Sequence, residues 1–298
     1  MQIKIVGASS PFVPAKLEAG VARLRAAGFD VDDSHALQGT HAYLNGDDAT
    51  RKRLLEEALS SDVDVVWLAR GGYGLGRIAG GIRLPDRMPL VVGFSDATAL
   101  FARMHNEDRS TRAIHGPLAT SVALEPAESV QHLVDVVAGG PGLPLPPLTV
   151  LHPGNAVDAV DVVAPIFAAN LCVLAALCGT GLQPSLRGHL LVLEEIGERP
   201  YRLDRMLTQL WLSGVFDGVV GVVVGHLTGC AEPASPGSTR DEAPTPIAVF
   251  TERLAALGVP VVAGLPVGHE APNRAIPLGA RARLRIDGDT ATLQLRAP

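Results

Sequence analysis

Aromatic side chains make up only 4% of this 298-residue chain, which holds two tryptophans and three cysteines. Cys172, Cys178 and Cys230 show no metal-ligand spacing, and their odd number argues against a disulfide framework and for a reducing compartment. Excess positive charge is absent too. Lys and Arg total 25 against 31 Asp and Glu, a net charge of −6, so there is no electrostatic footprint for nucleic acid. The opening "MQIKIVGASSPF" lacks a basic stretch followed by a long apolar one. No signal peptide is therefore expected, and a cytoplasmic protein is. One uncharged run, "VVAPIFAANLCVLAALCGTGL" at 162–182, is long enough to reach across a bilayer. Pro165, Asn170 and two late glycines interrupt it, so a buried core helix of about a dozen residues is expected, and no membrane partner. No H-x-x-x-H pair occurs, so neither a metal nor a cofactor is expected.

What is present is a regular alternation. "QIKIVGA" is a short apolar strand, and "PAKLEAGVARLRAAGFDV" carries apolar residues at helical spacing up to Gly28. "GDDATRKRLLEEALSS" reads as a second helix, acidic at its start as the helix dipole favours. "VDVVWLARGGYG" and "PLVVGFSD" are further buried strands. Continuous apolar strands separated by helices imply a parallel sheet covered on both faces, with sites at the carboxyl ends of the strands. From about 123 to 155 the chain turns proline- and glycine-rich, "GPGLPLPPLTVLHPGNA", after the modest helix "AESVQHLVDVVAG". The expected division is thus residues 1–122, a connecting stretch 123–155, and a second α/β unit 156–298. In the second unit "GHLLVLEEIGERP" is a strand ending in acids, "YRLDRMLTQLWLSG" an amphipathic helix, and "RARLRIDGDTATLQLRA" a hairpin turning on Asp-Gly-Asp. The polar, proline-rich loop at 227–245 reads as a flap or a substrate rim.

Several residues invite chemistry without proving it singly. Ser95 stands between an apolar strand and a helix, where a serine ordinarily caps the helix. "GFSDA" also resembles the strand-to-helix elbow G-x-S-x-G that exposes a nucleophile, although Ala97 replaces the last glycine. The glycines of "ARGGYGLGRI" fit neither the dinucleotide nor the Walker pattern. They make an ordinary turn or let backbone amides approach a reacting carbonyl. In "LEEIGE", Glu195 and Glu198 are expected at the surface or paired with Arg199 and Arg202. Strand alternation sets Glu194 on the face opposite Glu195, so one of the two points inward. His269 sits in "AGLPVGHEAPN" after a short strand. Serine, acid and histidine in that chain order match the order of the α/β-hydrolase triad.

Four blocks, "ARGGYGLGRI", "VVGFSDATAL", "LVLEEIGERPYRLDRMLTQL" and "GLPVGHEAPNRAIPLGARARL", together resemble the LD-carboxypeptidases, the S66 serine peptidases. They stand in family order from Ile3 to about Leu284. The resemblance implies a nucleophile at Ser95, a triad acid at Glu194 and a base at His269, with nucleophile and acid–base pair on separate α/β domains. It implies an oxyanion hole built from the amide of Asp96 and that of Gly71 or Gly72. It further implies a homodimer, and as substrate a small peptide, above all a cytoplasmic muropeptide whose terminal D-alanine is released. A free carboxylate needs a cation, for which Arg70 and Arg202 are the candidates. A microcin C-type immunity peptidase, and a binding module without catalysis, are the alternatives. The chain departs from the family where "AANL" (Ala168–Leu171) replaces G-G-N-L, and in the loose block "YLNGDDATRKRLLEEAL".

Overall fold

The computed structural model describes residues 1–36, 39–155, 160–232 and 244–296. The first half lays down β1 (Gln2–Val6), α1 (Pro14–Ala26), β2 (Asp30–His35), α2 (Asp48–Leu59), β3 (Val65–Leu68), the one-turn α3 (Leu75–Ile78), β4 (Leu90–Gly93), α4 (Thr98–Asn106) and β5 (Ala113–His115). Local chemistry explains the pieces. The strand β3, "VVWL", is buried at every position, as a strand covered on both faces must be. Pro14 opens α1 where its missing N–H is no loss. Asp47 caps α2 by accepting from the Thr50 amide at 2.7 Å.

The second half adds α5 (Ala127–Val137), β6 (Leu148–His152), β7 (Asp161–Asn170), α6 (Leu171–Ala176), β8 (Leu190–Ile196), α7 (Pro200–Leu212), β9 (Gly221–Thr228), α8 (Pro246–Ala255), β10 (Val261–Ala263), β11 (Ile276–Pro277), β12 (Arg281–Asp287) and β13 (Thr290–Leu295). Two sheets result. One runs β11-β5-β4-β3-β1-β2, parallel except for β11, and the other closes as a barrel in the order β10-β6-β13-β12-β7-β8-β9. The order 2-1-3-4-5 within the first is that of doubly wound sheets, whose sites lie where the order reverses. The expected mixed α/β architecture with a parallel-sheet first unit is what the chain adopts, and its second sheet is closed. The β12–β13 hairpin turns at Gly288, with φ of 58°, between Asp287 and Asp289.

The structure differs from the sequence reading in three places. The uncharged run at 162–182 is not one helix: β7 fills its first half and the short α6 follows. Val162, Val163, Ile166 and Phe167 are strand formers, and a strand enclosed in a barrel reads as a continuous apolar run. Asn170 ends the strand and caps α6, accepting from the Val173 amide at 3.0 Å. The stretch 123–155 is not a plain connection either. α5 packs its Val130, Leu133 and Val136 into the core of the first sheet, while β6 is a strand of the barrel. Finally, β11 leaves the second half to pair antiparallel with β5, Ile276 opposite His115. Most of the expected loop at 227–245 lies outside the described residues. No helix among the described residues is long and apolar enough to cross a membrane.

Candidate active site

At the end of β4 the chain makes an abrupt turn. Gly93 closes the strand, Phe94 is extended, and Ser95 takes a φ of 63°, the left-handed region that a non-glycine residue occupies at a cost of about 1–3 kcal/mol. A 3-10 turn over Ser95–Ala97 then feeds α4. The cap position of that turn falls on Phe94, so Ser95 is not its cap. Its hydroxyl instead lies 3.2 Å from His269 Nε2, within hydrogen-bonding reach.

His269 occupies the loop after β10. Its Nδ1 is 2.7 Å from Oε2 of Glu194, which ends the apolar part of β8 and is fully buried. With Glu194 ionised, Nδ1–H donates to the carboxylate and Nε2 is left to accept from the Ser95 hydroxyl. Glu194 Oε1 has no partner among the described residues, so the carboxyl group is held through Oε2 by His269. Gly268, just before the histidine, has a φ of 133°. A Cβ there would stand 2.9 Å from Glu194 Oε2, so only glycine lets the loop pass so close to the acid. The Phe94 and His269 rings meet edge to face at 4.7 Å between centroids, which restrains the plane of the imidazole.

The glycine loop after β3 abuts the serine. A Cβ on Gly71 would lie 3.0 Å from Ser95 Cβ and 3.1 Å from its Oγ. Gly72 faces the other way: at φ 97° its missing Cβ would collide with Ser10 Oγ at 2.5 Å. The Gly71 carbonyl accepts from the Ser10 amide at 3.3 Å. Asp96 turns its carboxylate back under the elbow, where it accepts from the Leu75 amide at 2.8 Å and ties the start of α3 to the serine turn. Burial raises its pKa above the usual carboxylate range. The amides of Gly71, Gly72 and Asp96 donate to no protein acceptor among the described residues.

These groups open onto a cavity of about 670 Å³ between the two halves. Phe12, Arg70 and Leu124 face it from one side, Asn170, Glu195 and Glu198 from the other. Of the two candidate arginines, Arg70 lines the cavity. Arg202 does not: it donates to Glu198 Oε2 at 3.2 Å and to Tyr201 OH at 3.1 Å. Glu195, expected at the surface, is buried. It accepts from Asn170 Nδ2 at 3.2 Å, the Cys172 amide at 2.6 Å and the Ile196 amide at 2.8 Å. Burial, offset by these bonds, raises its pKa. Both acids are enclosed because helices cover the outside of β8 as fully as the barrel covers its inside, and alternation alone does not reveal that.

Two further groups escaped the sequence reading. Asn170 and Glu195 form one buried pair on the cavity wall, although the sequence marked Asn170 only as an interruption of an apolar run and Glu195 as a surface acid. His115, at the end of β5, is wholly buried beside Phe94, with both ring nitrogens unpartnered among the described residues. Burial, then the neighbouring His269, pushes its pKa down to about 3, so it is a neutral wall behind the site. Cys172 also faces the cavity, but burial and Glu195 push its thiol up to about 11. It stays protonated at neutral pH and makes a poor nucleophile.

An elbow serine, a histidine and a buried carboxylate within hydrogen-bonding distance, drawn from two α/β units, define a serine-hydrolase type of site. Residues 3–116 match the LD-carboxypeptidase N-terminal domain and residues 163–284 the LD-carboxypeptidase C-terminal domain. The chain belongs to this family of serine-type carboxypeptidases. It is 32% identical to the murein tetrapeptide carboxypeptidase of Pseudomonas aeruginosa over 298 residues, covering 95% of this chain and 92% of that protein. Its fold matches the crystal structure of a muramoyltetrapeptide carboxypeptidase from Oxalobacter formigenes with a TM-score of 0.78 at 26% identity, covering 99% of both chains. A structure of MccF in complex with glutamyl sulfamoyl guanosine matches with a TM-score of 0.74 at 18% identity, covering 99% of this chain and 96% of that one. At that identity the likeness is one of fold.

Proposed function

We propose that the protein is a serine LD-carboxypeptidase that releases terminal D-alanine from murein tetrapeptide. The observation that carries this reading is the contact chain Ser95–His269–Glu194, at 3.2 Å and 2.7 Å, at the mouth of the inter-unit cavity. His269 Nε2 takes the Ser95 proton as Oγ attacks the carbonyl of the L,D amide, and afterwards gives a proton to the leaving amine. Glu194 holds the tautomer and balances the imidazolium. The oxyanion rests on the Asp96 amide and a second donor from the glycine loop. Because the Gly71 carbonyl points at Ser10, the N–H on the opposite side of that same planar peptide, belonging to Gly72, is the donor we assign, with Gly71 supplying the close approach. Each such donor is worth about 3 kcal/mol in the transition state. Arg70 supplies the cation for the terminal carboxylate, and Arg202 acts only through Glu198. The reading makes this a cytoplasmic enzyme of cell-wall recycling, and a homodimer as the family resemblance implies.

The cavity offers no tryptophan on which a nucleobase would stack. Trp67 is buried and donates to the Pro117 carbonyl at 2.8 Å, and Trp211 lies on α7 outside the cavity. This favours the muropeptide over a peptidyl nucleotide. The test is to incubate the protein with murein tetrapeptide and, separately, with an aminoacyl sulfamoyl adenosine, and to follow both products by mass. D-Alanine release with Ser95→Ala lowering turnover by about 10⁴-fold or more is the expected result. Cleavage of the nucleotide conjugate alone would transfer the assignment to the immunity-type reaction, and turnover undiminished in Ser95→Ala would overturn the mechanism.

A further inference from the structure

The loop that carries His269 is gripped by residues of the first sheet's surroundings as well as by the barrel. On the barrel side, Val267 accepts from the His226 amide at 2.8 Å. Immediately after the histidine the attachments change sides. Asn273, buried, turns its side chain back so that Oδ1 accepts from the Gly268 amide at 3.0 Å. Its own amide donates to Oε2 of Glu125, buried just before α5, at 2.9 Å. Arg274 pairs with Glu128 of α5 and also donates to its carbonyl at 3.2 Å. The Ala275 carbonyl lies 2.9 Å from Nε2 of His132, also on α5, and Ile276 then joins β5. Residues 273–276 are therefore stitched to the body that presents Ser95.

We propose that Glu125 is a positioning residue for His269. It holds Asn273, and the Asn273 side chain holds the amide next to the histidine, so the Ser95–His269 spacing is set from the body bearing the serine. The inference rests on the reading of Ser95 and His269 as nucleophile and base. Glu125 is remote in sequence from every motif and does not line the cavity. Its link to His269 runs through the two hydrogen bonds, Glu125 to the Asn273 amide and Asn273 Oδ1 to the Gly268 amide. Misplacement of a catalytic group by about 1 Å costs on the order of 100-fold in rate, and loss of one anchor permits a fraction of that.

The test compares Glu125→Ala, which removes the acceptor, with Glu125→Gln, whose amide oxygen keeps it. Two readouts are taken on the full chain: the rate at which a fluorophosphonate labels Ser95 with loss of fluoride, and kcat and KM on murein tetrapeptide. In Glu125→Ala, labelling and kcat are expected to fall together about 10-fold or more with KM within about twofold, while Glu125→Gln stays near wild type. Asn273→Ala, which removes only the acceptor for the Gly268 amide, is expected to reproduce the fall and serves if Glu125→Ala does not fold. Labelling at the wild-type rate in the alanine variants, or an equal fall in Glu125→Gln, overturns the proposal. Labelling is independent of the substrate, so failure to cleave the tetrapeptide would sink the functional reading and leave this result interpretable.

Discussion

Gly71→Ala is the sharpest probe of how the serine is held. The new methyl would sit 3.0 Å from Ser95 Cβ, 3.1 Å from Oγ and 3.5 Å from Leu118 Cδ1. Carbon atoms in contact settle nearer 3.5–4.0 Å, so Ser95 must retreat by about half an ångström. The Ser95–His269 contact is already 3.2 Å, and such a retreat carries it past hydrogen-bonding range. Scaling from about 100-fold per ångström, kcat should fall about 10-fold, or roughly 1.4 kcal/mol of barrier. The backbone of Gly71 is not left-handed, so the fold should survive with its melting temperature nearly unchanged. Gly76→Ala, in the same glycine-rich block but with open space around its missing Cβ, is the control and should leave kcat unaltered. Steady-state release of D-alanine measures both. Wild-type kcat in Gly71→Ala would refute the contention that the glycine is there for close approach.

Other expectations follow from the surrounding shell. His115 is held neutral with a pKa of about 3 against about 6.5 in the unfolded chain. Its stability contribution is complete above about pH 6.5 and drains away as pH falls toward 3, because the unfolded state gains a proton that the native state refuses. His115→Leu, which strands no hydrogen bond among the described residues, should flatten urea-measured stability between pH 6 and pH 4 by about 1.4 kcal/mol per pH unit. An unchanged slope would discount the buried histidine. Asp96→Ala strands the buried Leu75 amide and should lower stability by about 1–3 kcal/mol while slackening the glycine loop. Asp96→Asn, which keeps an acceptor, should restore most of it, and urea melts of the two variants decide. On the proposed mechanism, Glu194→Gln, which preserves shape but not the carboxylate, should lower kcat by about 10⁴-fold at neutral pH.

The first sheet was legible where its strands are apolar, in β3 and β4 and at alternate positions of β1, and where α1 and α2 carry helical spacing, whereas the polar β2 and the one-turn α3 leave no such pattern. The elbow at Ser95 was legible only as a choice between cap and nucleophile. No local pattern shows that a histidine 174 residues away lies 3.2 Å from the hydroxyl. β7 was hidden for the reason that reveals parallel strands elsewhere: a fully enclosed strand and a buried helix share one hydrophobic signature. Glu195 was misplaced because alternation presumes one wet face, and β8 has none. The grip of Glu125 on Asn273 involves two residues with no periodic partner, and only tertiary contact brings them to notice.

The two-residue strand β11 bears on how the molecule comes into being. A ribosome delivers β5 long before Ile276–Pro277, so during synthesis the β5 edge of the serine-bearing sheet stands open, a row of amides and carbonyls ready for any passing strand. On the proposed mechanism the nascent half-molecule, carrying Ser95 without Glu194 or His269, would be inert toward the cell's own peptides. Closing the sheet and completing the Ser95–His269 contact then depend on the same late stretch of chain, so an incompletely translated product is expected to lack both.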